Sequence, residues 1–538
     1  MIHLIPKIPF SLKLIIILLC SYWSALISDK LVNPDASVVV LYLEGIKSPS
    51  HYFSNLFQLK SIDFQPVRDL SLFFDIWIYR LSKINLTFIQ NLLIWFLSCI
   101  YLRKILKTIF PNIKEYHLES MIVLFSAYPL FSTTLLWGVA RKHLLSLLFM
   151  LIATDELIKD KQGHNSSRKI SLFYFLSVFS QPINILWPAW ALFWSFLNRK
   201  DKFKEYLYYL IPIFIIGFIA NYLYYEKSHV FKLFYHSKSE QLTSDLDIIL
   251  ALGHYSLQLV FPHNLTFLYP IGQWEQMVGI GVLVLLPYFF YKKIESKKFL
   301  INWGLFGLLP LLIVLKTPNL MMDSYLLVPA IGLLVLVVNL LQEPKKKPIL
   351  ILMRALLVFF IFLNFQESKV WTNMYDFTKA AFVRHSSCNT ALNAGIVQYN
   401  EKERLEKDLK EFLEKKGCVK IYHKMTMPQV DMIVRISSQI LFYEDGISFK
   451  DRERSLKNMS QRSEIALYFL SALYAKAERK NELLDTLKKI SFDKIPSEAR
   501  FYERVMDKVV YPYCLKEDLI DCMSKIKGMT IKADRIWL

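Results

Sequence analysis

The sequence is short of the features on which most soluble enzymes rely. It has no glycine-rich nucleotide loop, no zinc signature and no serine nucleophile elbow, so the common motif-bearing nucleotide-binding proteins, zinc enzymes and serine hydrolases are set aside. Cysteine is scarce, with six in 538 residues. Cys20 and Cys99 sit inside apolar runs, and Cys388, Cys418, Cys514 and Cys522 lack the spacing of a zinc site. Acidic residues are also few, 46 against 65 Lys and Arg, which leaves a formal charge of +19. A basic excess can signal nucleic acid. Here the basic residues fall in short clusters between apolar runs, a pattern of membrane topology, and nucleic acid is excluded as a partner. No small-residue cleavage site follows the first apolar run, which argues against a cleaved secretory signal.

What the chain has is hydrophobicity. A hydrophobic content of 54% and a mean hydropathy of +0.30 exceed those of soluble domains, where apolar usage is roughly 45–50%. The runs crowd the chain up to Asn364 and then stop. The pattern predicts an all-α protein: a polytopic membrane helix bundle of about eleven spans over residues 1–366, then a soluble helical domain over 367–538. Phe10–Ser28 reads as an uncleaved first helix, and 29–83 as a long outer loop of the kind that is usually functional. Further spans are expected at Ile84–Leu102, His117–Leu136, Leu144–Leu157, Phe203–Tyr225, Met277–Tyr291, Phe299–Leu315, Tyr325–Leu341 and Ile349–Asn364. Ile170–Leu197 is interrupted by Gln181-Pro182 and has basic clusters at both ends, so it reads as a broken pair that dips in and returns. Leu246–Phe261 is expected to lie along the membrane surface. The basic clusters share one side. By the positive-inside rule the N-terminus is cytoplasmic and the tail extracytoplasmic, in a multi-pass protein of the cell inner membrane.

The tail has no run of membrane-crossing length. Ser463–Ala477 with Asn481–Ile490 reads as an antiparallel helix pair, and Glu401–Lys416 as a charged helix packing one stripe on a neighbour. Stacked pairs of this kind are of degenerate tetratricopeptide type, though without a clear 34-residue period. Four tail cysteines in an oxidising compartment allow three connectivities; the expectation is Cys514 with Cys522 and Cys388 with Cys418.

The stretch around which the membrane part is organised is Ser126–Leu145, SAYPLFSTTLLWGVARKHLL. It places Arg141, Lys142 and His143 on the outer side, where basic residues are usually sparse. Two explanations stand: an anionic ligand such as a lipid phosphate, or side chains snorkelling to outer headgroups. Other polar candidates near helix ends are Asp29, Asp35, Asp63, Arg68, Asp69, Asp75 and Asp323. Taken singly, each reads as a solvated loop charge. Asp323 differs in being hemmed between apolar runs, where an ionisable group is usually functional or paired.

In order and spacing the chain resembles the GT-C-fold protein O-mannosyltransferases that carry tetratricopeptide repeats, in the manner of a divergent bacterial relative. Phe64-Gln65-Pro66-Val67 with Asp75 stands where that family has Tyr-Arg-Pro-Leu. Tyr128-Pro129, Trp137 and Arg141-Lys142 stand where it has His-Pro, Trp and Gly-Arg-Lys-Asp. Met322-Asp323-Ser324-Tyr325 with Pro329 stands where it has Asp-Arg-Tyr-Leu-Tyr-Leu-Pro. Departures are concentrated at charges: Gln65 replaces the motif arginine, Thr133 and His143 replace acids, Gln181-Pro182 stands at a Lys-Glu, and Ser324 replaces an arginine.

The resemblance implies transfer of a sugar from a polyprenyl-phosphate donor to a protein or glycan acceptor at the outer membrane face. Asp35 would be the base and Asp323 a supporting acid. Arg141 and Lys142 would hold the lipid phosphate, with Arg68, His143 and Tyr325 completing the substrate contacts. No metal ligands are assigned; the cofactor stays open, a divalent metal ion being the candidate. The alternative is a non-catalytic membrane scaffold that keeps the fold and binds partner proteins through its helical tail.

Overall fold

The computed structural model describes residues 8–28, 48–57, 64–82, 86–160, 167–227, 326–340, 347–384, 448–460, 465–490 and 506–524, with isolated positions between them. All secondary structure among these residues is helical. The chain divides into two compact units, Met1–Asn373 and Met374–Leu538.

In the first unit the helices are α1 (Phe10–Ser21), α2 (Pro49–Phe57), α3 (Pro66–Ser82), α4 (Thr87–Ile109), α5 (Glu115–Ser126), α6 (Arg141–Asp160), α7 (Ser167–Ser180), α8 (Trp187–Asn198), α9 (Phe203–Lys227), α10 (Leu327–Leu340) and α11 (Lys347–Val370). Among the described residues two helices are long and apolar enough to cross a membrane, Phe203–Leu223 and Ile351–Val370. A third is reached if α5 and Pro129–Leu136, bent by 46°, form one span. That bend corrects the expectation of a continuous helix over His117–Leu136. Tyr128 is extended, as a residue before proline tends to be, and the helix stops ahead of it. The first helix is likewise shorter than expected, ending at Ser21 with a separate turn, Trp23–Leu26, after it. The break at Gln181 falls where Pro182 demands it: Gln181 is extended between α7 and the turn Pro182–Asn184. The spans expected at Met277–Tyr291 and Phe299–Leu315 and most of Leu246–Phe261 lie outside the described residues.

α4 ends and α5 begins at one end of this unit, and α6 begins at the other, beside the start of α4. At the first of these ends an ionic clasp joins three helices. Lys13 on α1 meets Glu119 on α5 at 3.0 Å, and Arg103 on α4 reaches both Glu115 and Glu119. Arg354, near the start of α11, donates to the Tyr116 hydroxyl beside them. At the other end lie the start of α4, the start of α6 and Asn364, whose amide donates to the Ala127 carbonyl freed by the bend.

The second unit contains α12 (Met374–Arg384), α13 (Phe449–Ser460), α14 (Ile465–Lys476), α15 (Lys480–Lys489), a π-turn at Met506–Val510 and α16 (Tyr511–Lys516). Every residue of α14 from Ile465 to Ala475 is buried, the mark of a helix that is apolar all round and wrapped by neighbours. α14 and α15 are joined by a three-residue turn in which Glu478 adopts a left-handed conformation (φ 55°) and the Arg479 amide donates to the Tyr474 carbonyl. Asp518 repeats the device after α16, with the Leu519 amide on the Cys514 carbonyl. Cys514 and Cys522 form a disulfide; Cys388, Cys418 and Glu401–Lys416 lie largely or wholly outside the described residues.

Candidate functional site: a buried polar cluster

At the end of the first unit opposite the ionic clasp, three segments distant in sequence converge on a buried polar cluster. They are 64–75, leading into α3; 137–146, leading into α6; and 181–184, the break after α7. Arg141 is its centre and is fully buried. Its guanidinium has five N–H groups, and five acceptors surround it. Nε donates to Asn91 Oδ1 at 2.9 Å, and Nη1 to Ser71 Oγ at 2.9 Å and the Ser71 carbonyl at 3.3 Å. Nη2 donates to the Thr87 carbonyl at 2.7 Å and pairs with Asp75 Oδ2 at 2.6 Å. Asn91 serves twice, since its amide also donates to the Leu135 and Trp137 carbonyls left over where Ser132–Leu136 ends. The chain reversal that delivers Arg141 is thus fixed by the residue that receives it.

This corrects the snorkelling explanation of Arg141. It does not snorkel, because no part of it reaches the surface. Four hydrogen bonds and the Asp75 ion pair hold its guanidinium inside the protein. Asp69 and Asp75 correct the reading of solvated loop charges, since both are buried. Arg68 donates from Nε and Nη2 to Asp69 Oδ1, at 2.8 and 2.6 Å, while the Tyr52 hydroxyl donates to Asp69 Oδ2 at 2.9 Å. The physical reason is shared. A carboxylate and a guanidinium that leave water together lose much less than either would alone.

His143 is buried within electrostatic reach of Arg68 and Lys142, and Lys142 is half-buried. Asp35, Asp323 and Tyr325 lie outside the described residues. Of the expected set the structure therefore brings together Arg68, Arg141, Lys142 and His143. Sequence reasoning counted Asp69 and Asp75 among the polar candidates without giving them a role, and it did not single out Asn91 or Tyr52. A signal for Asp75 was present: Arg68, Leu72 and Asp75 recur at helical spacing, opposite a stripe of aromatic residues.

The third segment joins through amides. Gln65 Nε2 donates to Gln181 Oε1 at 2.8 Å across 116 residues of sequence, and both side chains are buried. Below them Ser146 and Ser177 exchange hydroxyl-to-carbonyl hydrogen bonds of 2.9 and 2.7 Å, bringing α6 and α7 close, and Asn184 donates to Ser146 Oγ. Tyr174 donates to the Ile185 carbonyl, so the polar backbone exposed by the proline break is partnered. Among the described residues no group of three or more His, Cys, Asp and Glu can hold a metal ion, and Asp69 and Asp75 are each engaged by an arginine.

No family model, no curated protein and no solved structure matches the chain.

Proposed function

We propose that the chain is a multi-pass membrane protein that keeps the architecture of a GT-C glycosyltransferase and uses it as a scaffold rather than for transfer. In this reading the spans anchor it, the N-terminus is cytoplasmic, and the extracytoplasmic helical tail docks partner proteins. The observation that carries it is the enclosure of Arg141: the cation best suited to hold a lipid phosphate is fully buried, with four hydrogen bonds to Asn91, Ser71 and Thr87 and an ion pair with Asp75. Gln65 and Gln181 point the same way. They stand where the resembling family carries charges, and they meet as a neutral amide pair joined by one hydrogen bond. The tail disulfide favours an oxidising compartment for that domain.

A second reading, transfer of a sugar from a polyprenyl-phosphate donor to a protein or glycan acceptor at the outer face, has one observation in its favour. Two of the segments that resemble the family's motifs, those holding Asp75 and Arg141, meet in one cluster. Asp35 would then be the base, Asp323 a supporting acid, and Lys142 with Tyr325 the donor contacts, with or without a divalent metal ion. The purified protein, incubated in detergent with a panel of polyprenyl-phosphate-linked sugars, with and without magnesium and manganese, separates the two. No labelled product is expected. Transfer that is lost in Asp35→Asn at unchanged expression establishes the second reading and ends the first.

A further inference from the structure

The helix that supplies Asp75 to Arg141 has its polarity reversed. On α3 the charges Arg68, Asp69 and Asp75 are buried, while Leu70, Phe73, Phe74, Trp77 and Leu81 are exposed, at 71%, 37%, 51%, 53% and 70%. These five fall at i, i+3, i+4, i+7 and i+11, one stripe of a helix. A loop helix bathed in water turns its charges out and its aromatic residues in. Here the arrangement is the other way round, as expected where the outer medium is apolar.

The stripe also continues a surface that has the same character. α3 packs against α7, and α7 against the membrane-length helix α9. Phe175, exposed on α7, stacks on Phe179 at 4.2 Å, and Phe179 meets the ring of Phe64, two residues before α3, at 5.5 Å. Leu172 on α7 and Ile216, Phe218 and Ile219 on α9 extend the exposed apolar face.

We propose that α3 lies in the outer leaflet of the bilayer, with its Leu70–Leu81 stripe among lipid acyl chains and its charged side closing the Arg141 cluster. The segment read from sequence as an outer loop then contributes a membrane-embedded wall, and the paired charges sit at leaflet depth rather than in water. Tyr79, near its C-terminal end, suits the headgroup boundary where such rings collect. The inference rests on the membrane reading of the first unit and is independent of whether transfer occurs.

The test is photocrosslinking of the full-length protein in nanodiscs made from phosphatidylethanolamine and phosphatidylglycerol with radiolabelled acyl chains. p-Benzoylphenylalanine replaces Phe74 or Trp77, with Phe218 on α9 as the membrane reference and Ile520, exposed in the second unit, as the aqueous one. Lipid adducts at 74 and 77 that match those at 218 and exceed those at 520 severalfold are expected. Labelling at 218 without labelling at 74 and 77 overturns the placement of α3 while leaving the membrane reading intact. An adduct with a second copy of the chain overturns it as well, assigning the stripe to a protein interface. Failure at 218 itself removes the membrane reading and this inference with it.

Discussion

Asp75 Oδ2 lies 2.6 Å from Arg141 Nη2, and both side chains are buried. An ion pair so withdrawn from water contributes little net stability over a well-packed apolar pair, yet breaking one side strands the other charge. Asp75→Ala should therefore cost about 3–5 kcal/mol. Asp75→Leu combined with Arg141→Met should cost far less than the two single changes added together. Thermal unfolding in detergent, followed by tryptophan fluorescence across the double-mutant cycle, measures this. Additive losses would mean that the two groups do not depend on each other.

The Gln65–Gln181 pair makes a related prediction with opposite chemistry. Gln65→Arg places a charge where the structure offers an amide, and should lower stability by more than Gln65→Ala, itself expected to cost about 1–3 kcal/mol by orphaning a buried group. Gln181→Glu should restore most of the loss in the Gln65→Arg background. The same unfolding assay reads all four proteins, and absence of rescue would separate the two side chains.

In the second unit Glu453 links α13 to α14 and to the turn after it. It accepts from Lys457 at 2.7 Å, the Tyr474 hydroxyl at 2.9 Å and Arg479 at 2.9 Å. The Lys457 hydrogen bond foremost, with those from Tyr474 and Arg479's charge, holds its carboxyl below the usual range against the opposing effect of burial. A carboxyl depressed on folding stabilises above its unfolded value, about 4.3, and loses that contribution as pH falls through the lower folded value. Protection of α13 and α14 amides in hydrogen exchange should therefore weaken below about pH 4.3 in the native chain. Glu453→Gln should flatten that dependence and cost about 1–3 kcal/mol at neutral pH.

Cys514 and Cys522, eight residues apart, tie α16 to the segment that follows it. On the loop-entropy estimate the bond is worth about 2–3 kcal/mol. Alkylation of the denatured, unreduced protein should spare both cysteines, and Cys514→Ser with Cys522→Ser should lower the protection of α16. Free thiols at both positions in protein taken directly from membranes would argue against an oxidising compartment for the tail.

What could be read in the sequence was governed by local chemistry. The break at Gln181 was legible because Pro182 acts on its immediate neighbour, and the α14–α15 pair because its apolar spacing repeats over short distances. The role of Arg141 was not, because its partners come from α3 and the first turns of α4, and no rule of spacing links them to it. Asp75 was misjudged for a more instructive reason. A carboxylate among Phe73, Phe74 and Trp77 resembles a loop charge until the helix is drawn, and then Arg68, Asp69 and Asp75 are buried while the rings are exposed.

The approach of α7 to α9 depends on one absent side chain. A Cβ added to Gly217 would lie 2.7 Å from Val178 Cγ1, closer than carbon atoms can come. Val178 is buried and, being β-branched within a helix, has little freedom to turn aside. Small residues at such crossings let helices approach within a bilayer, where no hydrophobic drive brings them together. Gly217→Leu should separate α7 from α9, with an overpacking cost of about 1–3 kcal/mol or more. Because α7 ends at the Gln181 break, the change should also loosen the Gln65–Gln181 bond, lowering amide protection at the start of α3 as well as in α7. Gly217→Ala should be mild only when combined with Val178→Ala. A Gly217→Leu protein as stable as the parent, with unchanged exchange in α3, would show that the α7–α9 contact does not support the polar cluster.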